Sequence, residues 1–184
     1  MAVDDDEVVV GCLRLIPYDS ASSPALPVLA HGRYFCSTGW DRLCAVGLEN
    51  CYEISTLVVE RLCHGADFSP LMGLYRAIIQ FAWAKSRDGS RKAFVMACRP
   101  GLFRSLQAVS GDQVRRLGPD LDYPGQVAIP AFLDPTEAAL NLDTRVRSDH
   151  DAGSAATKLL QFMASGVSHR DLSPELGSVL QAYM

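Results

Sequence analysis

Several signatures are missing from this 184-residue chain, and each absence closes a class of function. No apolar run approaches the roughly 18 to 20 residues that a membrane helix needs. The N-terminus, Met1-Ala2-Val3-Asp4-Asp5-Asp6-Glu7, is acidic where a secretion signal is basic and then apolar. A cytoplasmic protein with no membrane partner is therefore expected. G-x-S-x-G, the Walker loop and G-x-G-x-x-G are all absent, so hydrolase, NTPase and dinucleotide chemistry lack their first requirement. The six cysteines (Cys12, Cys36, Cys44, Cys51, Cys63, Cys98) contain no C-x-x-C, and the four histidines (His31, His64, His150, His169) lie far apart. Cys63 and His64 are adjacent, which is awkward for joint ligation. No metal is expected, and the thiols read as reduced and mostly buried.

What is present describes one ordinary globular domain. Hydrophobic residues make up 48% of the chain and charged residues 21%, enough to close one core and too little chain for two. The net charge of −4 conceals a segregation. Residues 1–60 set three arginines against nine acids, a net −6, whereas residues 76–116 set nine cations against Asp88 and Asp112, a net +7. Such a block is a solvated face or a docking patch for an acidic partner. The overall acidity and the lack of interleaved aromatics argue against nucleic acid.

Val8 to Ile16 is β-branched and apolar on both faces and stops at Pro17, which predicts a buried central strand. Arg14 is its anomaly, since a guanidinium there must find an anion or several acceptors. Tyr18 to Asn50, rich in Pro, Ser and Gly, reads as a long loop with room for one short helix and with Trp40 and Leu43 as anchors. Tyr52 to Val59 predicts a second strand, with Glu53 and Ser55 on one face. Ser69-Pro70 supplies a cap and a first-turn proline for a helix to about Lys85. Strands are expected over Lys92–Cys98, Gln113–Leu117 and Gln126–Leu133, with a helix from Pro100 to Val109. That alternation is an α/β layout. Beyond Asp134 the pattern turns helical, around Pro135–Leu142, over Ala155–Ala164 and from Ser173.

Arg14 and Glu53 on neighbouring strands carry the most chemistry. A carboxylate in a partly buried cleft can hold or deprotonate an amine, and the free N–H groups at the start of the Ser69 helix can hold a phosphate. Together these describe acyl transfer to an amine from a phosphopantetheine thioester. The competing reading is an Arg14–Glu53 ion pair with no chemistry. Arg61-Leu62-Cys63-His64-Gly65-Ala66 only loosely follows the R-x-x-G-x-G/A phosphate loop, because His64 stands at its first glycine.

Val9-Val10-Gly11-Cys12-Leu13-Arg14-Leu15-Ile16-Pro17, Leu26 to Gly32, Trp40 and Glu53-Ile54-Ser55-Thr56-Leu57-Val58-Val59, in this order and at these gaps, resemble the acyl-homoserine-lactone (autoinducer) synthase family. Leu117-Gly118-Pro119 and the stretch from Gly125 to Phe132 are similar to the end of that domain. The resemblance covers about residues 8 to 140. It implies a GNAT-like (acyl-CoA N-acyltransferase) mixed sheet over residues 1–142, with residues 143–184 as a helical extension packed on the same domain. It also implies an acyltransferase of autoinducer synthesis and quorum sensing. Such an enzyme takes an acyl chain from acyl carrier protein, or from CoA, to the amine of S-adenosylmethionine and then closes a lactone, with no cofactor beyond these co-substrates. By the same resemblance Glu53, Arg14 and Ser55 are catalytic. Thr56, Trp40, Phe94, Met96 and Phe103 bind substrate, the last three as walls of an acyl tunnel. Lys85, Arg87, Arg91, Lys92 and Arg104 dock the carrier.

Two departures leave alternatives open. The family motif reads E-x-S-R, and Thr56 stands at its arginine. The family's segment before the first of these strands, with its S-adenosylmethionine contacts, is expected to be missing. The missing edge would favour a homodimer. An N-acyl amino acid synthase of the exosortase-linked kind, and an inactive relative that binds a carrier or partner, are the alternatives.

Overall fold

In the computed structural model, residues 1–3, 7, 9–17, 37–59, 69–86, 89–123, 126–149, 155–168 and 172–183 are described. Runs of β-branched and apolar residues form the strands β1 (Ala2–Val3), β2 (Val9–Pro17), β3 (Cys51–Val59), β4 (Ala93–Cys98), β5 (Val114–Arg116), β6 (Leu121–Tyr123) and β7 (Gln126–Leu133). Their order across the sheet is β1-β2-β3-β4-β7-β5, with β6 paired on β7. β3 and β4 run parallel, and the other described pairs are antiparallel. The helices are α1 (Ser37–Val46), α2 (Ser69–Lys85), α3 (Pro100–Ser110), α4 (Pro135–Asp149), α5 (Ala155–Ala164) and α6 (Pro174–Leu180).

Side chains alternate across the sheet and divide its burial between two clusters. Phe94, Met96 and Cys98 of β4 join Ile129, Ala131 and Leu133 of β7 beneath α2 to α6, forming the larger core. On the other face Cys51, Ala93, Val95 and Phe132 meet Leu43 and the half-buried Trp40 of α1. Gly39 lets α1 settle on β5, because a Cβ there would collide with the Arg116 carbonyl oxygen. Asp134 caps α4 with its Oδ1, which accepts from the N–H groups of Thr136 (2.9 Å) and Glu137 (3.1 Å).

Two sequence expectations change here. β2 is not a buried central strand: it lies beside the two-residue β1, and the burial along it is mixed. The helix begun at Pro135 does not end near Leu142 but runs on to Asp149. Asp143 explains the continuation, since it accepts from Arg147 Nε (2.8 Å) and from Tyr183 Oη (2.8 Å), tying the C-terminal turn to α4. β1 and β6 are too short to leave a periodic signal. No helix among the described residues is long and apolar enough to cross a membrane.

Gly39→Ala is expected to cost about 1 to 3 kcal/mol by overpacking α1 against β5, read as a lower denaturant midpoint; an unchanged midpoint would contradict this docking. Tyr183→Phe should cost about 1 to 2 kcal/mol, the worth of a hydrogen bond to a carboxylate in a half-exposed setting. The same denaturation measurement checks it.

Candidate active site

The parallel ladder between β3 and β4 is short. It pairs Cys51 with Ala93, Tyr52 with Phe94, Glu53 with Val95 and Ile54 with Met96, and there it ends. Beyond that point β3 stays with β2, as far as Val59 opposite Gly11, while β4 stays with β7 through Ala97–Pro130 and Cys98–Ile129. The facing edges of the two strands part at their carboxyl ends, where α/β sheets commonly receive ligands. At the same level the β2–β3 register jumps from Arg14–Thr56 to Leu15–Ile54, which leaves Ser55 as the extra residue of a β-bulge.

Glu53 lies one residue before the end of this ladder. Its neighbours in register are Ile16 and Val95, and it is 4% exposed. Alternation puts it on the face of Cys51 and Val95, the face that α1 covers with Trp40 and Leu43. A carboxylate is thus held on an apolar sheet face beside the parting of two strands. Cys51 shares that face, and burial, followed by the charges of Glu49 and Asp134, pushes its thiol up to about 12. It is a neutral packing group and not a nucleophile at ordinary pH.

The other predicted residues disperse. Arg14 is exposed, because Leu13 and Leu15 turn to the large core and leave it on the other side of β2. Among the described residues no ion pair joins Arg14 to Glu53; the pairs are Arg42–Glu137, Arg91–Asp134, Arg116–Asp120 and Arg147–Asp143. Ser55 is half-buried with its Oγ enclosed, and Thr56 is described only in its backbone, opposite Arg14. Phe94, Met96 and Phe103 lie in the large core, on the opposite face of the sheet from Glu53. The structure does not gather them around the carboxylate.

The basic block also divides. Lys85, Arg91 and Lys92 lie at the amino end of β4, whereas Arg104 lies past its carboxyl end on α3, roughly 17 Å of strand away. Lys92 donates to Asn50 Oδ1 at 2.6 Å, and Arg91 stands 3.7 Å from Asp134. Arg87 and the phosphate-loop candidate Arg61–Ala66 fall outside the described residues. Arg99, at the N-cap position of α3 just past the end of β4, shares the parting end with Arg104. Sequence reasoning counted Arg99 in the basic block without choosing it, although its place between a strand and the helix-starting Pro100 was the signal. An open groove of about 410 Å³ between α2 and α5, lined by Met72, Gly73, Arg76, Ala77, Gln80 and Phe162, belongs to the helical layer across the sheet from Glu53.

No family model matches the chain, and no curated protein does. Among solved structures it is similar to TofI, solved in a ternary complex with an inhibitor and MTA, at 15% identity and a TM-score of 0.51. The likeness covers 77% of this chain and 65% of that one, so this chain spans about two thirds of TofI's length. The fold is GNAT-like. In this chain the sheet is mixed, with one parallel pair, β3–β4, among the described residues.

Met96→Ala is expected to destabilise the chain by about 2 to 5 kcal/mol, the usual range for emptying a buried core position. A midpoint unchanged by this substitution would show that Met96 borders an open tunnel instead.

Proposed function

We propose that this chain is an acyltransferase that forms an amide from a thioester and an amine, of the kind to which TofI, an acyl-homoserine-lactone synthase, belongs. The observation that carries the reading is the buried Glu53 carboxylate at the parting of β3 and β4 in a GNAT-like fold. The parted edges offer main-chain groups to the amides of a pantetheine arm, and Glu53 holds or deprotonates the amine. The amine nitrogen attacks the thioester carbonyl carbon. A C–N bond forms, the C–S bond breaks, and the amine proton passes by way of Glu53 to the departing thiolate.

The amine proposed is that of S-adenosylmethionine, whose acylated form closes to a lactone when its carboxylate oxygen displaces the sulfonium as a thioether. The donor proposed is an acidic acyl carrier protein that approaches the parting end, where Arg99 and Arg104 lie. Thr56, at the arginine of the family motif, and the exposure of Arg14 favour a second reading, in which the amine is that of a free amino acid.

Glu53→Gln should lower turnover by about 10²-fold or more while leaving the circular dichroism and the melting temperature near those of the parent. Turnover is read as free thiol released from an acyl carrier thioester in the presence of S-adenosylmethionine or amino acids. A folded variant that turns over at the parent rate removes Glu53 from the mechanism.

A further inference from the structure

The open groove between α2 and α5, about 410 Å³ in volume, lies across the sheet from Glu53 and takes no part in the acyl-transfer reading. Arg76 is half-buried in it, with its guanidinium carbon 5.4 Å from the centre of the Phe162 ring. Such stacking orients the guanidinium plane and leaves its edge N–H groups to bind. The guanidinium sits at the end of α5, since a Cβ built on Gly166 would lie 3.6 Å from Arg76 Nη2. The last carbonyls of a helix are the ordinary partners of a cation placed there. Here they already have donors: Ser165 Oγ for Phe162, Gln80 Nε2 for Met163 and Ser165, and the Val167 N–H for Ala164. Among the described residues no acid pairs with Arg76 either. The floor of the groove adds a second, independent sign. Gly73 lies inside α2, where alanine is the better helix former, yet a Cβ there would meet nothing within 4 Å. No packing contact of the chain itself calls for glycine at this place, and its effect is to keep the groove open.

We propose that this groove is a binding site for a carboxylate borne on an alkyl chain. The carboxylate forks onto the edge of the stacked Arg76 guanidinium, a bidentate contact that the planar group suits. The alkyl chain runs over Gly73 to Met72, one helix turn away, with Phe162 as its other wall. Gln80 stands one turn beyond Arg76 on the same helix face. Its Nε2 is committed to α5, and among the described residues no donor bonds to its Oε1. That oxygen suits an amide N–H beside the carboxylate. Two sources present this chemistry, a free fatty acid and an N-acyl amino acid, and the second alone has the N–H. A neutral thioester or lactone offers no anion to Arg76, so the groove is distinct from the site at the parting of β3 and β4.

The test is titration calorimetry of the full chain with octanoate, N-octanoylglycine and the uncharged methyl octanoate, each below its micelle concentration. Both carboxylates should bind, about ten- to hundredfold more tightly than the ester. Tighter binding of N-octanoylglycine than of octanoate assigns the N-acyl amino acid as the source, whereas octanoate bound as tightly or more tightly assigns the fatty acid. Arg76→Gln should bind both carboxylates at least about tenfold more weakly. Gly73→Leu should weaken them as much by filling the floor, with a melting temperature no lower than the parent's, because leucine favours the helix. Ester bound as tightly as the carboxylates, or affinity kept in either variant, overturns the proposal, and so does a parent that binds neither carboxylate. Displacement of octanoate by S-octanoyl-pantetheine overturns it as well, because the ligand then occupies the acyl-transfer site. None of these outcomes bears on Glu53, whose own variant tests the acyl-transfer reading separately.

Discussion

Four residue pairs of a parallel ladder, Cys51–Ala93 to Ile54–Met96, hold the two halves of the sheet together. One half is β1-β2-β3 and the other is β4-β7-β5 with β6. Every main-chain N–H and C=O taken from water needs a partner. β3 and β4 supply theirs on the outer sides through long antiparallel ladders with β2 and β7. Past Ile54 and Met96 the inner sides no longer supply each other. A ligand with main-chain-like amides is the natural complement to such a pair of edges.

The packing explains how the parting is kept open without loosening the fold. Large side chains of β4 and β7 lock into α2 to α6, where Trp83 and Phe94 are almost wholly buried. Further ties hold that helical layer. Trp83 Nε1 donates to the Pro135 carbonyl, Gln80 donates to the carbonyls of Met163 and Ser165, and Asp143 joins Arg147 and Tyr183. The smaller cluster on the opposite face is where a carboxylate is tolerated. A rigid core on one face and a polar exception on the other is an arrangement suited to holding reacting groups in place.

The periodic parts of this fold could be read from sequence. Ser69-Pro70 and the spacing of Leu74, Ile78 and Ala82 announce α2 to its ends, and β3, β4 and β7 follow from runs dominated by β-branched and apolar residues. Glu53 could be read for the same reason, as a charge inside a pattern that excludes charge. Arg14 misled because the depth of a strand is set by its neighbours: beside β1, a two-residue strand, β2 exposes a side chain that a central strand would bury. The bulge at Ser55 depends on register between strands some forty residues apart, which no local pattern records. The basic block separated because a strand carries its two ends apart, whereas counting charges along a chain ignores direction.

Amide hydrogen exchange with and without S-octanoyl-pantetheine tests the central claim most directly, because that claim concerns main-chain groups at one parting of two strands. Slower exchange confined to segments 55–59 and 97–99, with the helical layer unchanged, is the predicted result. Protection that appears instead along the groove between α2 and α5, or on no segment of the sheet, would contradict the account.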